Sequence, residues 1–520
     1  MKKLISLPFM ALLGAALPAQ NQAVFPSLEP DSRAEAYARR GAGGYSWEDL
    51  AEISLWASIT EGGPSAPAVH TGTGSAGSAD GEALMARLRD AVRELRNSPE
   101  LPQGLRERGE YILGWMHRKF LKTYSLQQTR LDALLTGGRY NCVSSAVLYL
   151  VLGTASGLEI RGVMTKDHAF AAVRAGDEWI DVETTNPYGF DPGNRKEFQD
   201  QFGRVTGFAY VPSGNYRDRA VIGAVELISL IFSNRIAELE RRGRFAEAVP
   251  LAISRGGLLL GGGEKRPAPG GGTLSGGAAE VGETPPFFED PRRDVLNRIF
   301  NFGASLLQGG KEDEALRWAA LAAPRYPDGE RWQEYILAAA NNRMIRQIRG
   351  GRFAEARDRL NLLAPDLNAA NFTRLDMALT NAELTDGAAK IKTTGDAEAV
   401  IAAIDRAEGR RLLPAGRAGE LRLFAVEKGA ALLSAGRDWA GAAAWLEKAM
   451  ERYGPGPRLE QNLRNARSNL AADYHNRFAE AWNRRDRETA LRILEEGLAL
   501  FPGHQQLLAD RAVVEGQRRN

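Results

Sequence analysis

Apolar positions recur at helical spacing in three stretches of the first quarter of the chain. These are residues 45–60 ("YSWEDLAEISLWASIT"), residues 82–97 ("EALMARLRDAVRELRN") and "GEYILGWMHRKFLKTY", which runs to about residue 124. Apolar residues three and four apart share one side of a helix, so each stretch is expected to be a helix with a buried face. "RLDALLTGGRYNC" then brings the chain through a glycine pair to Cys142. From 142 to 153 the pattern is apolar all round, which suits a helix buried on every side. After Gly157 come short β-type runs, "EIRGVMT", "HAFAAVRA" and "EWIDVETT", the last two separated by a Gly-Asp turn. A loop-rich segment follows, "NPYGFDPGNRKEFQDQFGRVTGFAYVPSGNYRDR". Residues 30–220 therefore read as one α+β domain.

Beyond about residue 222 strand signals stop and helical patterns repeat. "GRFAEA" occurs at 243–248 and again at 351–356, and "GKEDEA" at 310–315 fits the same slot. Pro327 lies twelve residues after Ala315, and Pro502 twelve after Ala490. Glycine opens the turn between two helices, alanine lets them approach closely, and proline ends the second. This spacing resembles the tetratricopeptide repeat, a helix–turn–helix unit of about 34 residues. Two further pairs, near 419–453 and 465–503, keep Ala442 and Ala490 but place arginine where glycine would stand, and 372–412 is weaker still. The expected order is a first helix pair at 222–255, a Gly/Pro-rich disordered linker at 256–291, and an all-α helical-repeat solenoid at 292–520. A second Gly/Ser/Ala-rich stretch, about 61–81, reads as a flexible insertion in the first domain.

Composition changes this picture in three places. The chain has 520 residues, too many for one domain, with 25% charged and 44% hydrophobic residues as in ordinary soluble proteins. Its net charge of +2, with acids and bases mixed throughout, gives no footprint for nucleic acid. "MKKLISLPFMALLGAALPAQ" has a basic start, a short apolar run and small residues near Ala19, so residues 1–19 read as a secretory signal peptide. The expected location is periplasmic or extracellular, with envelope association, and with no membrane span beyond that peptide. There is one cysteine, which excludes an internal disulfide and leaves Cys142 either an inert buried thiol or a reactive one. With scattered histidines around a single cysteine, neither a metal site nor a cofactor is expected.

A cysteine becomes a nucleophile when a helix N-terminus and an imidazole stabilise its thiolate and an acid orients that imidazole. Cys142 sits at such a helix start. Of five histidines, His168 is the one in the strand-rich part. Counting outward from a two- or three-residue loop within Ala175-Gly176-Asp177 places the residue opposite His168 between 183 and 185. Glu183 is then close across the strands, and Asp181 lies on a diagonal.

Cysteine at a helix head, then "H-A-F" on one strand and "W-I-D-V-E-T-T" on the next, resembles the transglutaminase-like superfamily, over roughly residues 105–215. The resemblance implies a papain-like fold with a Cys–His–acid set. The third strand of that family reads Trp, three residues, then acid-x-Thr. Matching Trp179 places the acid at Glu183, followed by Thr184 and Thr185, where the family has Asp; Asp181 is the reserve. By the resemblance, Cys142 attacks an acyl carbon, His168 forms the ion pair and then protonates the leaving amine, and Glu183 holds the imidazole. The backbone N–H of Cys142 contributes to an oxyanion hole, with Tyr140 and Asn141 as adjacent supporting residues. Water as second substrate gives a protease or amidase, and an amine gives protein crosslinking.

The expectation is thus an exported cysteine hydrolase or acyltransferase acting on a protein or peptide, with a repeat array that binds a protein partner. The competing expectation is a non-catalytic scaffold of the cell envelope on the same fold, which the Glu-for-Asp exchange favours. Lys166 and Asp167 read as a solvated turn, His117 as packing or surface, and His70, His475 and His504 as bystanders. Tyr188 and Phe190, in the loop after the acid strand, read as loop packing with substrate contact as the alternative.

Overall fold

The computed structural model describes residues 25–40, 44–60, 76–193, 196–206, 219–261 and 290–519. Residues 1–19, read as a signal peptide, His70 with most of the stretch read as an insertion, and residues 262–289 of the stretch read as a linker lie outside the described residues. The structure is mostly helical with a small sheet region. It divides into two compact units, one ending at Trp332 and one beginning at Gln333.

The first unit contains α1 (Ser32–Arg40), α2 (Trp47–Ile59), α3 (Ala76–Arg96), α4 (Leu105–Lys119), α5 (Leu131–Gly137) and α6 (Cys142–Ala155). Then come α7 (Lys196–Thr206), α8 (Ala224–Arg241), α9 (Phe245–Leu260), α10 (Pro291–Gln308) and α11 (Glu312–Ala322). The three apolar-periodic stretches are α2, α3 and α4, although the third stops at Lys119 and its last residues form the short strand β1 (Thr123–Tyr124). That strand pairs in parallel with β2 (Arg139–Tyr140). Strands β3 (Ile160–Met164), β4 (Ala169–Ala175), β5 (Glu178–Val182) and β6 (Ala220–Ile222) form one antiparallel sheet in the order β5-β4-β3-β6. On one face Ala169, Ala171, Val173, Ile180 and Val182 join the core that buries α6; on the other Val163, Phe170 and Ala172 form a separate small cluster with Trp179. The segment read as loop-rich contains α7 and leads into β6, neither of which its pattern announced.

The helix pair read as the first repeat belongs to this unit. Leu227, Ile231, Phe232 and Ile236 of α8, and Leu251 and Leu258 of α9, share one core with Leu50 and Trp56 of α2 and Leu148 of α6. The Phe232 ring meets Trp56 edge-on at 5.0 Å. The linker boundary also moves, because residues 256–260 are helical. A Cβ at Gly257 would lie 3.2 Å from Ala34 and Pro30, so glycine is here for the close passage of α1, not for flexibility.

Helix α12 (Gly329–Arg349) leads into the second unit. That unit continues with α13 (Phe353–Leu363), α14 (Ala369–Ala389), α15 (Thr394–Gly409), α16 (Arg417–Ala435), α17 (Trp439–Tyr453), α18 (Pro457–Asn483), α19 (Arg487–Leu500) and α20 (Gln505–Arg519). From α13 onward each helix packs on the next, and α14, α16, α18 and α20 also touch in succession, as stacked helix pairs do. Ala248, Ala315, Ala356, Ala442 and Ala490 are all buried at the start of the second helix of a pair. The residue five before each has positive φ: Gly243 at 73°, Gly310 at 69°, Gly351 at 70°, and in the degenerate copies Arg437 at 61° and Arg485 at 65°. The left-handed turn is therefore kept even where glycine is not.

Candidate active site

The Cys142 position is built by a turn and a cap. Gly138, at φ 69°, ends α5, and the β1–β2 pair then directs the chain into α6. Asn141 is the N-cap of α6. Its Oδ1 accepts from the Ser144 N–H at 3.0 Å while the Asn141 N–H donates to the Ser144 hydroxyl at 3.0 Å, a reciprocal capping box. Cys142 is consequently the first residue of a helix, where a backbone N–H has no intrahelical acceptor and the dipole favours negative charge. The Asn141 amide donates to the Leu126 carbonyl at 3.1 Å, so this side chain is committed to shaping the turn.

His168 stands one residue before β4 and Glu183 one residue after β5. Pairing of Ala175 with Glu178 leaves a two-residue loop, and the regular register ends at Ala171 opposite Val182. Extending that register puts Thr185 opposite His168 and Glu183 two residues along the strand, on the diagonal. The longer glutamate side chain spans that diagonal, and His168 Nε2–H donates to Glu183 Oε2 at 2.6 Å. Cys142 lines the same cleft and also acts on the imidazole, raising its pKa. With Nε2 occupied by the carboxylate, Nδ1 is the nitrogen left for the thiol. Burial by itself would lower the His168 pKa. The Glu183 charge, the bond to Glu183 and the Cys142 side chain outweigh it and hold the imidazole well above its ordinary value. Phe202 of α7 meets the imidazole edge-on at 5.7 Å.

Of the two acids the sequence left open, Asp181 is occupied elsewhere. It takes a bidentate pair from Arg219, both bonds 2.6 Å. Glu183 is 2% exposed, and its second oxygen accepts from the Thr185 hydroxyl at 2.7 Å and the Thr185 N–H at 3.2 Å. The Glu-Thr-Thr sequence thus supplies both the acid and its clamp.

Behind the acid lies a layer that sequence reasoning missed. His117 of α4, read as packing or surface, has its Nε2 3.0 Å from the Thr184 carbonyl. A carbonyl can only accept, so Nε2 carries the proton. Burial pushes the His117 pKa down to about 4 despite this bond and the nearby Glu183. Tyr140 donates to the Thr185 carbonyl at 3.3 Å and is not among the cleft residues; burial and the Glu183 charge push its pKa up to about 12. The rings of His117 and Tyr140 meet edge-on at 6.1 Å. Tyr124, placed beside Tyr140 by the parallel pairing, is held protonated by burial and then by Cys142 and Glu183. Nothing in the spacing of positions 117 and 184 links them before the chain is folded. Gly189 closes the acid turn: its carbonyl accepts from the Glu183 N–H at 2.7 Å, and a Cβ there would lie 2.0 Å from the Glu183 carbonyl oxygen.

Cys142 and His168 line one end of a cleft of about 750 Å³, with Asn141 and Gln127 beside them. One side of α8, including Ser233 and Asn234, continues the wall toward Arg298. Lys166 and Asp167 are exposed residues of the same rim. Tyr188 is exposed and Phe190 buried, the latter beneath an Arg106 guanidinium at 5.9 Å, and neither lines the cleft. In the second unit His475 pairs through Nδ1 with Asp510 at 2.7 Å. Among the described residues no group of three His, Cys, Asp or Glu is arranged to hold a metal ion, and no helix is long and apolar enough to cross a membrane. Comparison with protein-family models and with curated proteins finds no match to this chain.

Proposed function

We propose that the first unit is a transglutaminase-like, papain-type cysteine acyl-transfer enzyme, exported to the periplasm or cell exterior. Its following tetratricopeptide-type helices bind a protein partner. The observation that carries this reading is one imidazole bonded at Nε2 to a buried carboxylate, 2.6 Å away, and lining the same cleft as Cys142 at the head of α6. An inert structural cysteine has no need of an oriented imidazole, so the arrangement supports the enzyme over the scaffold. The Glu-for-Asp exchange loses its force because the longer side chain reaches the ring.

In the proposed reaction the Cys142 thiolate attacks the carbonyl carbon of a peptide or side-chain amide. The developing oxyanion is met by the Cys142 N–H at the head of α6. As the C–N bond breaks, the His168 imidazolium gives its proton to the leaving amine, and a thioester remains on Cys142. The now neutral His168 takes a proton from water or from a second amine, which attacks the thioester and releases the thiolate. Glu183 keeps the imidazole in the required orientation through both halves, itself fixed by Thr185. One side of α8 forms a wall of the same cleft.

The test needs no substrate: the rate of Cys142 alkylation by iodoacetamide in the native protein, from pH 5.5 to 9.5. An ordinary thiol, with pKa about 8.5, is under about 1% ionised at pH 6. The expected result is labelling at pH 6 at least about tenfold above that of an ordinary cysteine, lost in His168→Ala, since an ion-paired thiolate persists at that pH. Labelling that tracks an ordinary thiol, or that appears only in denaturant, overturns the enzyme reading and leaves the scaffold.

A further inference from the structure

We propose that His117 is a positioning residue of the same site, holding the acid turn in place through the Thr184 carbonyl. The inference rests on the catalytic reading above. The route is continuous in hydrogen bonds: His117 Nε2–H to the Thr184 carbonyl at 3.0 Å, then the adjoining Thr185 to Glu183 at 2.7 Å, then Glu183 to His168 at 2.6 Å.

Three observations separate this from ordinary packing. First, Thr184 and Thr185 are fully buried and lie two and three residues beyond Val182, where the sheet register that could fix them ends. Side chains must therefore do what strand pairing no longer does. Tyr140 bonds the next carbonyl, at Thr185, and the Ser145 and Thr184 hydroxyls are 2.8 Å apart. The turn is held from α4, β2 and α6 together. Second, a positioning donor has to remain one, and the half-buried His117 is neutral with its proton on the nitrogen that faces the carbonyl. Third, the element that carries His117 is otherwise apolar where it is buried, through Ile112, Leu113, Trp115 and Met116. An apolar residue would pack there, but it would leave the Thr184 carbonyl without this bond. Displacement of a catalytic group by about 1 Å costs on the order of 100-fold in rate, so a small relaxation of this turn is enough to be read at the thiol.

The experiment is the alkylation profile of Cys142 in His117→Phe, which keeps a ring in the space and removes the donor, beside His117→Gln, whose amide can donate to the same carbonyl. Near-UV circular dichroism establishes that each variant is folded. The expected result for His117→Phe is a fall of roughly 10- to 100-fold in labelling at pH 6 with little change at pH 9.5, and substantial recovery in His117→Gln. A purely structural role would lower stability without changing the shape of the pH profile. A folded His117→Phe whose profile superimposes on a wild type that labels at pH 6 overturns this proposal alone. A wild type that labels as an ordinary thiol overturns the catalytic reading and this inference with it. If His117→Phe does not fold, His117→Gln decides, because a profile with no thiol activation in that folded donor-bearing variant contradicts the proposed role.

Discussion

The two units spend their polar groups differently. In the first, Ser144, Ser145, Glu183, Thr184, Thr185 and Asn186 are all buried, with Ser145 and Thr184 hydrogen-bonded to each other and Thr185 to the Glu183 carboxylate. In the second, cores such as Leu446 among Ala425, Ala430, Ala442 and Ala443 are apolar, while pairs such as Arg467–Glu447 and Arg484–Glu480 stand in solvent. An exposed ion pair contributes about 0–1 kcal/mol, whereas a buried polar group that loses its partner costs about 1–3 kcal/mol. The lesson is one of concentration. The first unit places its sensitivity in one turn, and the second distributes modest contributions over many similar helix pairs.

The largest test of that contrast is Gly189→Ala. Its added Cβ would lie 2.0 Å from the Glu183 carbonyl oxygen, backbone that cannot swing aside as a side chain can. The expected outcome is a loss of about 3 kcal/mol or more in urea unfolding, together with loss of Cys142 labelling at pH 6. Wild-type stability in this variant would mean that the turn has slack, and the contrast between the units would weaken.

The next effect is one of pH, and the two histidines of the site give it opposite signs. His168 has a folded pKa raised above the unfolded value of about 6.5, so its protonation favours the folded state. That contribution is complete below about pH 6.5 and is lost as pH rises through the raised value. His117 has a folded pKa lowered to about 4, so the unfolded chain binds its proton first as pH falls. Its stability is complete above about pH 6.5 and is lost toward pH 4, by roughly 3–4 kcal/mol if the whole shift is expressed. Stability should therefore decline on both sides of a maximum near pH 6.5. In Glu183→Gln the charge that raises His168 is gone, so the alkaline decline should flatten while the acid one persists. Urea unfolding at half-unit intervals from pH 4.5 to 9.5 checks this, and an alkaline limb unchanged in Glu183→Gln contradicts the assignment.

Much of this was legible before folding, for local reasons. Periodicity marked α2, α3 and α4, an all-apolar run marked α6, and counting outward from a two- or three-residue loop within Ala175-Gly176-Asp177 brought Glu183 within reach of His168. Counting put Asp181 in reserve, on a diagonal, but could not show that it is occupied, because its partner Arg219 lies 38 residues further on, just before β6. Periodicity also shows that a face is buried without showing against what. Leu227, Ile231 and Phe232 look the same whether they pack on a repeat or, as here, on Trp56. The glycines at 256 and 257 read as linker by composition, although they lie in a helix whose neighbour passes too close for a side chain. His117 was invisible because its partner is a backbone carbonyl, which no residue type encodes.

The smallest effect sharpens the other half of the comparison. Arg437 and Arg485 hold the left-handed turns that Gly351 and Gly310 hold elsewhere, at nearly the same φ. A side chain in that region crowds its own backbone by about 1–2 kcal/mol, and glycine relieves this while giving back part of the gain as unfolded-chain entropy. Arg437 is exposed, and the turn itself is fixed by its N–H to the Ser434 carbonyl at 3.0 Å. Arg437→Gly should therefore stabilise the protein by about 0.5–1 kcal/mol, with Gly351→Arg losing a similar amount. Both are measurable as shifts of the urea midpoint at constant slope. If each repeat unit contributes its own increment, these two changes should cancel in the double variant. A double variant that departs from additivity by more than about 1 kcal/mol would mean that the second unit, like the first, concentrates its stability in particular turns.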